Sequence, residues 1–132
     1  EPEAAALAAE GATPEDVERL ARAYAVMAEA EADQTTNDAI MADLDFHRAI
    51  LAAAHNDLLL QMGKVIGVGL LVSYRLSLDQ YTLFVGRHEE VLVAIRRRRP
   101  QAARKMMERL LAETRGYLDT RIADGPVTAR RR

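Results

Sequence analysis

The stretch Asp43-Leu44-Asp45-Phe46-His47-Arg48-Ala49-Ile50-Leu51-Ala52-Ala53-Ala54-His55-Asn56-Asp57-Leu58 decides how this chain folds. Ile40 just upstream, then Leu44, Ile50 and Leu51, recur at the spacing that places side chains on one side of an α-helix ending near Ala54. His55, Asn56 and Asp57 break that period, and Asn56 or Asp57 can accept a free N–H at the start of a following helix. A polar turn between two helical periods implies two helices packed side by side. Asp43 and His47 are four residues apart, so their side chains lie one turn above the other. They share the apolar side of the helix and therefore face the interior, where an unpaired charge is costly.

Upstream, Thr35, Thr36 and Asn37 punctuate, and an earlier helix is expected to reach about Ala32, with Val17, Leu20, Tyr24 and Met27 as its apolar stripe. Its start is marked by Thr13-Pro14-Glu15-Asp16: a capping hydroxyl, proline at the first helical position, then acids at the positive end of the helix dipole. Before it, residues 2–10 form a short alanine-rich helix stopped at Gly11. Downstream, residues 58–78 form the most apolar helix, read as a buried element or an interface; Gly63 and Gly67 would let another helix come close, or else merely weaken it. The pattern breaks around Asp79. A fifth helix with Phe84, His88, Val91, Leu92 and Ile95 in its stripe ends before Pro100, and a sixth turns Ala103, Met106, Met107, Leu110, Leu111, Thr114, Tyr117 and Leu118 inward. The fold class expected is all-α, an antiparallel bundle of six to seven helices. One domain over 1–124 is expected, followed by a disordered tail at 125–132.

At 132 residues the chain is long enough for one cooperative core, and its apolar fraction of 49% with only 5% aromatic suits helix packing. Eighteen basic against 20 acidic side chains give a net charge of -2, so no overall field draws it to nucleic acid or an anionic membrane. The absence of cysteine excludes disulfides, thiolate metal sites and cysteine nucleophiles, which fits a reducing, cytoplasmic location. Gln61, Lys64 and Arg75 interrupt 58–78, so that segment is read as a buried helix and not as a membrane span. The chain starts at Glu1 without an initiator methionine and is helical almost at once, as expected of a fragment with a further N-terminal domain.

His88 raises the same question as Asp43 and His47, because its neighbours put it in the apolar stripe of a different helix. Two interior histidines and a carboxylate suit zinc, nickel, manganese or iron(II), with positions left for water or a ligand's carboxylate. An Asp43–His47 hydrogen bond in the core, with His88 satisfied separately, fits the same spacing and is the commoner arrangement. Arg75 offers a planar fork that could orient a carboxylate, or it snorkels to solvent or pairs with a glutamate. His55 belongs to a turn, in a solvent-facing or capping role. The run Arg96 to Arg99 sits where positive charge complements a helix C-terminus. No glycine-flanked serine or phosphate-binding glycine loop is present, and neither His47 nor His88 follows a glutamate at the di-iron spacing. An enzyme would have to use the two-histidine, one-carboxylate set on a metal.

The order of motifs resembles the FCD effector domain of one branch of the GntR-type transcription regulators. The likeness runs from Glu3-Ala4-Ala5-Ala6-Leu7-Ala8-Ala9-Glu10 through Thr13-Pro14-Glu15-Asp16-Val17 to its most specific piece, Asp43-Leu44-Asp45-Phe46-His47, followed by Ala53-Ala54-His55-Asn56-Asp57-Leu58. His88-Glu89-Glu90-Val91-Leu92-Val93-Ala94-Ile95 and Ala102-Ala103-Arg104-Lys105-Met106-Met107 continue it in the same order. The resemblance implies a bacterial effector-sensing and dimerising domain, not an enzyme. It also implies a small organic acid as effector, a homodimer, and DNA contact only through a separate N-terminal winged helix. In metal-binding members an Asp and three histidines hold a divalent ion; these fall on Asp43, His47, His88 and a fourth position that is Leu110 here. A three-ligand site completed by water or the effector's carboxylate then remains, in a pocket between the third, fifth and sixth helices with His47, His88 and Arg75 as effector contacts. The rival is a metal-dependent helical-bundle enzyme.

Overall fold

Alanine decides how the chain begins. Helix α1 (Pro2–Gly11) buries Ala4, Ala5, Ala8 and Ala9 completely, and side chains this small let it lie close against three later helices. The computed structural model describes residues 1–33, 36–77 and 81–123, with the remaining helices α2 (Pro14–Asp33), α3 (Thr36–Ala53), α4 (Asp57–Ser77), α5 (Tyr81–Arg96) and α6 (Pro100–Ala123). Among the described residues there are six helices and no strand, the all-α bundle that the periodicities imply. The break at Asp79 and the tail at 125–132 lie outside the described residues.

The pairing of helices follows from their apolar stripes. Helix α2 packs mainly on α3 and also on α5, while α1 lies against α6, α3 and α5. Leu20 and Met27 of α2, Phe46, Ile50 and Leu51 of α3, Val91 and Ile95 of α5, and Met107 and Leu110 of α6 are almost wholly buried and make one continuous core. The sequence stripes anticipated most of these residues but not Phe46.

Local chemistry fixes the turns. Before α2 the Thr13 hydroxyl accepts the Asp16 N–H at 3.2 Å and the Asp16 carboxylate accepts the Thr13 N–H at 2.9 Å, a reciprocal capping box with Asp in place of the usual Glu or Gln. Helix α3 ends with His55 in the left-handed region at φ 50, and the Asn56 side chain accepts the Leu59 N–H to cap α4. From that turn the His55 ring reaches back to Asp16 Oδ2 at 2.8 Å, so one carboxylate ties the start of α2 to the end of α3. Arg98 takes the left-handed position after α5 at φ 54, where its N–H bonds to Ile95 O and that of Arg99 to Ala94 O. Those two bonds are a Schellman closure, and the run Arg96 to Arg99 is therefore an exposed helix terminus followed by a tight turn.

Helix α4 departs from the expectation of a buried element. Gly63 does admit a neighbour, since a Cβ there would sit 3.1 Å from Leu51 Cδ1 of α3; at Gly67 the nearest outside atom is an Arg48 nitrogen at 4.0 Å. Only α3 and α6 cover α4 to any extent, and its other side leaves Leu58 70%, Val65 77% and Val68 63% exposed. The apolar residues that made the helix look buried serve two different faces, of which the bundle covers one. Among the described residues no helix is long and apolar enough to cross a membrane.

Burial pushes the Asp16 carboxyl up, but the Thr13 N–H and hydroxyl and the His55 ring outweigh it and hold the group below its ordinary value of 3.8. A depressed folded-state pKa contributes stability above the unfolded value and loses it as pH falls through the folded one. Asp16→Asn should therefore lower the melting temperature at neutral pH. The gap to the wild type should narrow in thermal melts taken progressively below about pH 4.

Candidate metal centre

Three polar side chains interrupt the core where α3 meets α5. Asp43 and His47 come from successive turns of α3 and His88 from the middle of α5, and all three are 2–3% exposed. One ligand atom from each lies within 4.8 Å of the others. Asp43 Oδ1 is 2.6 Å from His88 Nε2 and 3.7 Å from His47 Nε2, and the two Nε2 atoms are 3.3 Å apart. Phe46 stands nearly perpendicular to both imidazoles, with ring centroids 6.0 Å from His47 and 5.2 Å from His88. It walls the cluster with hydrocarbon and lowers the local dielectric.

The far nitrogen of each imidazole meets an acceptor. His88 Nδ1 lies against the carbonyl oxygen of Phe84, one turn earlier in α5. A carbonyl only accepts, so Nδ1 donates, and Nε2 is the nitrogen turned toward Asp43. His47 Nδ1 lies 2.9 Å from Glu1 Oε2, whose side chain is 6% exposed. The approach is off the line of a good hydrogen bond, which leaves His47 Nδ1 and both Glu1 oxygens buried without an aligned partner. Burial opposes a charge on His47, but the carboxylates of Glu1 and Asp43 outweigh it and hold the ring up to about 9. Burial likewise pushes Glu1 up, and the neighbouring His47 brings it below its ordinary value.

This donor set suits a divalent cation. Once a cation displaces the Nε2 protons, Asp43 Oδ1 and the Nε2 atoms of His47 and His88 offer it three donors around one buried space, with Nδ1 of each ring left to carry the remaining proton. An ion about 2.0–2.1 Å from each ligand atom sets neighbouring ligands roughly 2.9–3.4 Å apart, a spacing that the observed 2.6, 3.3 and 3.7 Å bracket. Its two positive charges would balance the carboxylates of Asp43 and Glu1 around neutral imidazoles. Asp43, His47 and His88 thus lie close enough to hold a metal ion.

The other sequence candidates lie elsewhere. Leu110, the position of the fourth ligand in the resemblance, is a core residue of α6 at 2% exposure and offers no donor. Arg75 falls within α4, and its side chain lies outside the described residues. A surface groove of about 950 Å³ runs between α2, α3 and α4, bordered by Arg22, Val26, Met41, Arg48 and Lys64, and it includes none of the three cluster residues. Glu1 and Phe46 were missed: Phe46 stood beside His47 in an informative motif, but nothing in the spacing of Glu1 pointed to α3.

The bundle thus brings one carboxylate and two imidazoles together in its interior. The FCD domain family model matches residues 1–113, and the chain belongs to that family. It is an effector-binding regulatory domain of the GntR type. No curated protein matches the chain.

Asp43 is one of two carboxylates that keep His47 charged, so Asp43→Asn should bring the His47 titration midpoint down from about 9. Imidazole NMR shifts followed across pH in metal-free protein measure this directly; an unchanged midpoint would refute the assigned cause.

Proposed function

We propose that this chain is the effector-sensing and dimerising domain of a bacterial, cytoplasmic GntR-family transcription regulator. In this proposal a small organic acid binds at the α3–α5 cluster, through a divalent ion held by Asp43, His47 and His88. The ion, whether zinc, nickel, manganese or iron, would supply a Lewis-acidic centre to which the effector's carboxylate can add as a further ligand. His47 and His88 contact the effector side of the site, Arg75 provides a planar counter-charge for the carboxylate, and Phe46 keeps water away. The domain spans 1–124, with 125–132 as a tail, and DNA is read by a winged-helix domain elsewhere in the parent protein.

The convergence of Asp43 Oδ1 with the Nε2 atoms of His47 and His88 in a buried space carries the proposal. Leu110 leaves the ion one protein ligand short of the four-ligand pattern, and an incomplete coordination sphere is what an exchangeable carboxylate requires. Preferential binding of the effector to one of two dimer geometries would then reposition the DNA-reading domains.

Elemental analysis of protein purified without chelator tests the centre. About one metal ion per chain is expected, lost in His47→Ala and in His88→Ala, with small organic acids raising the melting temperature only while metal is present. A ligand at 100 times its Kd adds about 2.7 kcal/mol to folded-state stability, which a melt resolves readily. A metal-free wild type, equal to both variants, would refute the proposal.

The outward side of α4 supports the dimer. Leu58, Met62, Val65 and Val72 recur at intervals of four, three and seven residues, the spacing of a helix–helix seam, and are 70%, 50%, 77% and 57% exposed. Two copies meeting there would cover a stripe that is costly to leave in water. Val65→Glu, at its centre, should convert a dimer to a monomer in light scattering after size exclusion while the helical circular dichroism is retained. A dimer that survives the substitution would place the interface elsewhere.

A further inference from the structure

Glu1 is a carboxylate of the interior, its side chain 6% exposed, that the metal reading does not use. Its backbone is anchored, because its carbonyl accepts the Ala5 N–H at 2.9 Å in the first turn of α1. Its mount is rigid, because Ala4, Ala5, Ala8 and Ala9 press α1 against α6, α3 and α5 with no exposed surface. The side chain is 6% exposed and its Oε2 lies 2.9 Å from His47 Nδ1. Neither oxygen has an aligned hydrogen-bond partner. A carboxylate placed in this way costs several kcal/mol unless a positive or donating group meets it, and His47 is the group that does.

We infer that Glu1 is the positioning residue of the centre: its carboxylate, set 2.9 Å from His47 Nδ1, favours the proton on that nitrogen and so turns Nε2 to the space shared with Asp43 and His88. This inference rests on the metal reading above and deepens it. Glu1 is not a fourth ligand, because it approaches the nitrogen that does not face Asp43 Oδ1 and His88 Nε2. Its role matches that of the Phe84 carbonyl, which holds Nδ1 of His88. The two imidazoles are thus oriented by acceptors of different strength: a neutral carbonyl behind His88 and a charged carboxylate behind His47. The stronger acceptor makes His47 the more basic ligand, and its negative charge helps balance a divalent ion that has lost a protein ligand at Leu110. Carboxylate partners behind metal-bound histidines act on affinity in this way.

Glu1→Gln keeps the shape and removes the charge, while Glu1→Asp keeps the charge and withdraws it by one methylene. Zinc, titrated against a competing chelating dye, is the probe. Glu1→Gln should still bind one zinc per chain but with an affinity about 10- to 100-fold lower, and Glu1→Asp should fall between it and the wild type. Nitrogen-15 shifts of the rings provide a second reading that needs no metal. At a pH high enough to neutralise the ring, His47 should be the Nδ1–H tautomer in the wild type and should shift toward Nε2–H in Glu1→Gln. A purely structural ion pair would lower the melting temperature without changing tautomer or relative zinc affinity. Wild-type zinc affinity in Glu1→Gln, or a His47 tautomer indifferent to the substitution, overturns the inference. A wild type that binds no zinc overturns the metal reading, and the tautomer measurement then decides the role of Glu1 by itself.

Discussion

Four ionisable side chains inside an otherwise hydrocarbon core are the constraint around which this molecule is arranged. The side chains of Asp43 and His47 from α3 and of His88 from α5 meet in the interior, and Glu1 closes the group from the start of α1. Breaking a buried charge pair by removing one partner typically costs 3–5 kcal/mol, so every element that carries one of these groups must stay where it is. Helix α1 is held by complete burial of its alanines, and α3 by its contact with α2. The hydrogen bond between His55 and Asp16 then fixes the end of α3 against the beginning of α2, so the helix that carries Asp43 and His47 is also held at its far end. Rigidity at the turns and polarity in the middle are two parts of one arrangement.

Most of the fold could be read from the sequence because its helix ends are written in local chemistry. Thr13, Pro14 and Asp16 act on one another over three residues, and Asn56 caps α4 over three, so no tertiary information is needed to find them. The apolar stripes of α2, α3, α5 and α6 likewise identified most of the core. Helix α4 misled for a physical reason: an apolar residue reports that water is avoided, not which neighbour provides the cover. Val65 and Leu51 look alike in sequence, although one is 77% exposed and the other 2%.

The centre was half legible. The four-residue interval of Asp43 and His47 and the apolar company of His88 put each of them inside, and the interior of a bundle this small leaves few places to be. Whether they met or were satisfied separately depended on the register of α3 against α5, which periodicity does not contain. Glu1 was invisible for a stronger reason: its partner is 46 positions away by number, and its own surroundings read as an ordinary solvated helix start. Phe46 carried a signal, being aromatic and adjacent to His47, yet its role as a wall beside both rings depends on α5 as much as on α3.

Gly63 gives α4 a mechanical character of its own. Leu51, which fills the space left by the missing side chain, sits one helical turn beyond His47 on α3. A stiff rod of one turn therefore joins the imidazole to the point where α4 leans on the bundle. A side chain at position 63 would have to push Leu51 aside or lift α4 away from α3, so the bare backbone of Gly63 sets how closely the outer helix can sit beside the turn that follows the imidazole.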